Sequence, residues 1–113
     1  MKTTGKHVTA DVWLNEYALN TKSIVKIVKA ALKKSKMNVL GSATHDFGGG
    51  AFTGVWLLAE SHFSVHTFPE RMYVSFDCYT CGNEGSPIAA INSVIESMDV
   101  NLAQVKIFAR GEK

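Results

Sequence analysis

The chain has 113 residues, 46% of them hydrophobic, and twelve Lys and Arg against ten Asp and Glu leave a formal net charge of +2. That is enough for one packed core and short for two ordinary domains, so a single domain over residues 1–113 is expected. The weak charge gives no pull toward nucleic acid or an anionic membrane, and no stretch reads as an apolar leader or a bilayer span; a cytoplasmic protein with no nucleic-acid or membrane partner is expected.

A first strand is predicted over residues 7–15, where Val8, Ala10, Val12 and Leu14 alternate with His7, Thr9, Asp11 and Trp13. From Thr21 the period changes to that of a helix, with Ile24, Ile27, Val28, Ala31 and Leu32 on one stripe and Asn20 or Thr21 as the cap. Lys22, Lys26, Lys29 and Lys33 form another stripe, read as the solvated face of an amphipathic helix. Residues 37–44 read as a second strand, and Gly48-Gly49-Gly50 as a mobile or tightly bent loop, since glycine reaches backbone angles closed to other residues. Residues 54–60 are nearly continuous in apolar character, as for a strand buried on both faces. Residues 71–79 alternate again, and Asn83-Glu84-Gly85 has turn chemistry. Ser86-Pro87 opens a second helix with Ile88, Ile91, Ile95 and Met98 as its buried stripe, and a last strand covers residues 103–109. The order β-α-β-β-β-β-α-β predicts an α+β two-layer sandwich, with two helices on one face of a mainly antiparallel sheet. Exposed Trp, Phe and Met on the uncovered face would favour contact with a second copy over water.

The segment Glu60-Ser61-His62-Phe63-Ser64-Val65-His66-Thr67-Phe68-Pro69-Glu70 concentrates chemistry. At the strand period His62, Ser64 and His66 share one face, while Phe63, Val65 and Thr67 share the other. A serine beside histidines suggests a nucleophile assisted by a base. Hydrolysis fits poorly, because the glycine-flanked turn that exposes an esterase serine is missing and a cysteine at position 81 would have no task. Cys78 and Cys81 are expected as thiols rather than a structural disulfide, and one such pair without ligand histidines is a weak metal or redox signal, so no metal is expected. Cys78 reads as a small core residue.

Glu60-Ser61-His62, His66-Thr67-Phe68-Pro69-Glu70, Tyr79-Thr80-Cys81-Gly82 and Gly5-Lys6-His7 together resemble the short prokaryotic form of S-adenosylmethionine decarboxylase, over nearly the whole chain. The resemblance implies a proenzyme that cuts itself between Glu60 and Ser61, leaving a β chain 1–60 and an α chain 61–113. In that chemistry the Ser61 hydroxyl attacks the Glu60 carbonyl, the amide becomes an ester, and β-elimination leaves a dehydroalanine that hydrolyses to a pyruvoyl group. The resemblance makes His66 the processing base and gives Thr53 a supporting role at the oxyanion. The pyruvoyl carbonyl would form a Schiff base with the substrate amine and draw electrons as carbon dioxide leaves, with Cys81 returning the proton.

Phe47 and Phe68 match positions that hold the sulfonium and adenine, and Glu70 matches a carboxylate near the ribose. Phe68 stands where the family motif usually has tryptophan, and Gly48-Gly49-Gly50 replaces a bulkier loop. Both bear on substrate choice, so arginine or ornithine is the alternative substrate, and an unprocessed binding or regulatory homologue the alternative class. The implied product is the aminopropyl donor for spermidine synthesis, and the implied assembly a homodimer with active sites shared between protomers.

Overall fold

The structure, a computed structural model, describes residues 5–59, 61–81 and 86–111. Its elements are β1 (Gly5–Leu14), α1 (Thr21–Lys34), β2 (Val39–Gly48), β3 (Ala51–Leu58), β4 (Ser61–Phe68), a 3-10 turn (Pro69–Arg71), β5 (Tyr73–Thr80), α2 (Pro87–Glu96) and β6 (Val100–Arg110). The order is the one the sequence predicts, and the strands form one sheet in the order β2-β3-β4-β5-β1-β6. Every described pairing is antiparallel. The turn predicted at residues 83–85 lies outside the described residues.

Both helices cover one face, α2 over β1 and β5 and α1 against α2 and β3. The core between the layers takes Val8, Ala10 and Val12 from β1, Phe52 and Trp56 from β3, Phe63 and Val65 from β4, and Val74, Phe76 and Cys78 from β5. α1 contributes Ile24, Val28, Ala31 and Leu32, four members of its predicted stripe, and Lys22, Lys26, Lys29 and Lys33 are exposed as expected. Its start is fixed by a reciprocal cap, in which the Asn20 side chain accepts from the Ser23 amide (2.8 Å) and the Ser23 hydroxyl accepts from the Asn20 amide (2.9 Å). α2 begins at Ser86, whose hydroxyl accepts from the Ala89 amide (3.2 Å), with Pro87 in its first turn. It buries Pro87, Ala90, Ile91 and Val94, whereas the predicted Ile88, Ile95 and Met98 are half-buried. The helix buries Ala90, Ile91 and Val94 completely, which leaves Ile88, Ile95 and Met98 at the edge of the core.

Two predicted boundaries move. β2 runs to Gly48 and β3 starts at Ala51, because the glycine run takes the tightly bent form of the two expected and closes a hairpin: Gly48, Gly49 and Gly50 all have positive φ (88°, 62°, 88°). The Asp46 carboxylate accepts from the Gly48 amide (2.7 Å), and Tyr17 donates to the Gly50 carbonyl (2.7 Å), which ties the turn down. β3 is not buried on both faces, since Val55 and Leu57 are 43% and 56% exposed. Helices cover only one side of the sheet, so the continuous apolar run alternates in burial even though it does not alternate in composition. Among the described residues no helix is long and apolar enough to cross a membrane.

Candidate active site

The uncovered face is an ordered grid, because β1, β5 and β4 lie side by side and their registers coincide. A first row holds His7, Tyr79 and His62; the next Thr9, Asp77 and Ser64; the next Asp11, Ser75 and His66; the last Trp13, Tyr73 and Phe68. Two polar rows are thus bounded by two rows of rings. In the first row His62 lies parallel to Tyr79 with centroids 5.9 Å apart, and His7 meets Tyr79 edge-on at 5.7 Å. In the last row Tyr73 stacks on Trp13 at 5.2 Å and on Phe68 at 5.4 Å.

Asp77 joins the first two rows. His7 Nε2 lies 2.6 Å and His62 Nε2 3.3 Å from its Oδ2, and Ser64 Oγ donates to its Oδ1. Burial alone would raise the Asp77 carboxyl, but the hydrogen bonds from Ser64, His7 and His62 outweigh it and hold the group below its ordinary value. One ligand atom each of His7, His62 and Asp77 lies within 4.8 Å of the other two, close enough to consider a metal. Arg110 argues for hydrogen bonding instead: its Nη1 lies 3.3 Å from His7 Nδ1 and can only donate, so His7 keeps its proton on Nε2, directed at Asp77. A metal at Nε2 would require the opposite tautomer, with two N–H groups facing each other. Sequence reasoning gave His7, His62 and Asp77 no role; the two-residue period put them on this face, but their meeting depends on cross-strand register.

The expected site residues fall into two groups. Ser61 begins β4 directly opposite Thr80 at the end of β5, and Cys81 follows Thr80, so register brings serine and cysteine to the same end of the sheet. Cys81 is exposed, whereas Cys78 is buried in the core, where desolvation pushes its thiol up to about 12. At the other end Thr53 pairs with His66 across β3 and β4, and the Thr53 hydroxyl lies 3.2 Å from His66 Nδ1. Phe68 is two residues further along, Glu70 is in the 3-10 turn, and Phe47, at the far end of β2, meets His45 edge-on at 4.5 Å. Ser61 and His66 are both on β4, and five residues of strand at about 3.3 Å each separate them by roughly 16 Å. Within one chain they do not meet. The expected cleavage residue Glu60 lies outside the described residues.

Fold and site therefore define a two-layer antiparallel sandwich whose sheet carries serine and cysteine at one end and, on its open face, paired threonine and histidine at the other. Comparison with known proteins supplies the family. The family model described as S-adenosylmethionine decarboxylase matches residues 6–111. The chain is 33% identical over 112 residues to the S-adenosylmethionine decarboxylase proenzyme of Sulfurihydrogenibium sp. (strain YO3AOP1), covering 97% of this chain and 84% of that protein. It is 37% identical over 114 residues to S-adenosylmethionine decarboxylase proenzyme 2 of Halalkalibacterium halodurans, covering 98% and 89%. The crystal structure of the adenosylmethionine decarboxylase from Aquifex aeolicus VF5 superposes with a TM-score of 0.90 at 28% identity, covering 100% of this chain and 95% of that one. The chain belongs to the S-adenosylmethionine decarboxylase family.

Proposed function

We propose that this chain is a proenzyme that cuts itself before Ser61 and then, as a homodimer, decarboxylates S-adenosylmethionine to the aminopropyl donor used in spermidine synthesis. The observation that carries the reading is the register that sets Ser61 beside Thr80 and Cys81, in a chain related throughout its length to proteins named as S-adenosylmethionine decarboxylase proenzymes. Those names give no support to arginine or ornithine as substrate, or to an unprocessed binding homologue.

In self-cleavage the Ser61 Oγ–carbonyl bond forms as the Glu60–Ser61 C–N bond breaks, and the hydroxyl proton ends on the released amine. His66 then takes the Ser61 α-proton and the ester carboxylate leaves. The Thr53 hydroxyl, 3.2 Å from His66 Nδ1, holds that ring in place and offers a hydrogen bond to developing negative charge. A pyruvoyl group derived from Ser61 supplies the electron sink for decarboxylation. Cys81 holds the proton that the substrate carbon receives, and its place next to Thr80, the register partner of Ser61, suits that task. Phe47, Phe68 and Glu70 bind the sulfonium, adenine and ribose.

Because roughly 16 Å of strand separates Ser61 from His66, the site is complete only if His66, Thr53 and Phe68 come from a second copy. The open face suits an isologous pair. Its two ring rows and two polar rows exchange under a two-fold rotation, so one protomer's Ser61 end meets its partner's His66 end. Val55, Leu57, Leu102 and Phe108, exposed on this face by register, are the apolar surface such stacking would cover.

The first test is the denatured mass of freshly purified protein. Two fragments, one ending at Glu60 and one starting with a pyruvoyl group, are expected, followed by carbon dioxide release from S-adenosylmethionine. A single intact chain that persists on incubation would overturn the reading.

A further inference from the structure

The last ring row of the open face joins Phe68 to two side chains that the proposed site does not use. Trp13, Tyr73 and Phe68 come from three adjacent strands at one register, so their rings stand in line with centroids 5.2 and 5.4 Å apart. Phe68 is the end of that line towards β3 and is 37% exposed. At the centre the Tyr73 hydroxyl donates to an Asp11 carboxylate oxygen. Burial and that hydrogen bond raise the Tyr73 phenol, which keeps it a donor. A phenol bound to a carboxylate is a stronger attractor of positive charge, and hydrogen-bonded and stacked groups polarise one another. The Arg71 guanidinium sits 5.8 Å from the Tyr73 centroid, so this row already attracts a cation of the chain itself.

We propose that Tyr73, Asp11 and Trp13 are positioning residues for substrate recognition, acting through Phe68: they make its ring the outer end of an electron-rich row that selects a sulfonium cation over a neutral thioether. This rests on the proposed function, in which Phe68 touches the substrate. The row gives the site a reason to prefer the charged sulfur of S-adenosylmethionine to uncharged adenosyl thioethers, which match it closely in shape. A methyl group fewer costs a binding site little, whereas the loss of the charge removes the cation–ring attraction outright.

The test uses the dimeric protein as isolated and two probes that lack the reacting amine, methylthioadenosine and its S-methylated sulfonium, titrated calorimetrically. Wild type is expected to prefer the sulfonium by about tenfold, within the range that cation–ring contacts supply. Tyr73→Leu should bring the two affinities to within about twofold, while Tyr73→Phe and Asp11→Asn, which keep the ring row, should lower the preference about threefold. Because His66 shares a row with Asp11, self-cleavage of each variant is first read by denatured mass, and the titrations compare proteins processed to the same extent. Equal wild-type affinity for the two probes would overturn the proposal, and so would an undiminished preference in Tyr73→Leu or, should that variant fail to fold, in both conservative variants. A wild type that prefers the sulfonium through Tyr73 but releases no carbon dioxide from S-adenosylmethionine would leave this proposal standing and remove the proposed activity.

Discussion

Asp77 accepts from His7, His62 and Ser64 within a face that is otherwise mostly uncharged at its centre, and its titration has a definite direction. Its folded-state value is lower than the ordinary carboxylate value of about 3.9, so the stability it contributes is present above about pH 4 and is lost as the pH falls through the lower folded value. Asp77→Asn should cost about 1–3 kcal/mol at neutral pH and flatten the decline of the melting temperature in acid. A variant whose acid profile parallels that of wild type would contradict this account. The two thiols offer another contrast. Cys78 is buried with its thiol pushed up to about 12, so it should resist alkylation near pH 8 in the folded protein and react only on denaturation, as peptide mapping would report. For Ser61 the expectation is all-or-none: Ser61→Ala should leave an intact chain with no activity, and His66→Ala should stall at the intact chain or the ester. Ser61 and His66 are singled out by one compact motif and Cys81 by a second one downstream, Tyr79-Thr80-Cys81-Gly82. Asp77, Tyr73 and Asp11 are not, because each acquires its partner from a strand distant in sequence, and no local pattern encodes that register.

At the scale of elements the alternation of β1 and β4 and the stripe of α1 are readable because each has one buried and one open side. β3 misleads because Val55 and Leu57 are apolar on the exposed side, a composition that signals burial. The buried side of β3 carries its own device at Gly54. A side-chain carbon there would lie 2.8 Å from the Trp56 ring and 2.9 Å from the Phe52 ring, both fully buried. Gly54→Ala should therefore destabilise the protein by about 1–3 kcal/mol in chemical denaturation, against the usual modest gain from replacing a strand glycine. An unchanged midpoint would show that the two rings can yield. At the head of α1, Asn20→Ala removes one side of a reciprocal cap and should cost about 1 kcal/mol by the same measurement.

At the scale of the whole molecule, the distance along β4 makes a quantitative statement about assembly. If each site joins the Ser61 and Cys81 end of one protomer to the His66 end of its partner, Cys81→Ala and His66→Ala chains are each inactive alone. Co-expressed and mixed at random, half of the dimers contain one chain of each kind, and one of the two sites in each of those is intact. The mixture should then show about a quarter of wild-type activity. A mixture as inactive as its parents would mean that the site closes within a single chain.

If the chain cuts itself as proposed, the strand order also governs how the two products hold together. Residues before the cut contribute β1, β2 and β3, and residues after it contribute β4, β5 and β6, yet in the sheet β1 sits between β5 and β6. The two products are therefore interleaved: pulling them apart means breaking β3 from β4 and β1 from both of its neighbours, while each fragment keeps one strand pair of its own. Before the cut, unfolding yields one chain that can refold by a first-order process. After it, unfolding yields two chains that must find each other, so the melting temperature becomes dependent on concentration and recovery slows on dilution. Under the proposed maturation, the step that creates the electrophile would also leave a folded object that could not readily be rebuilt, durable while intact because its two halves interleave in one sheet.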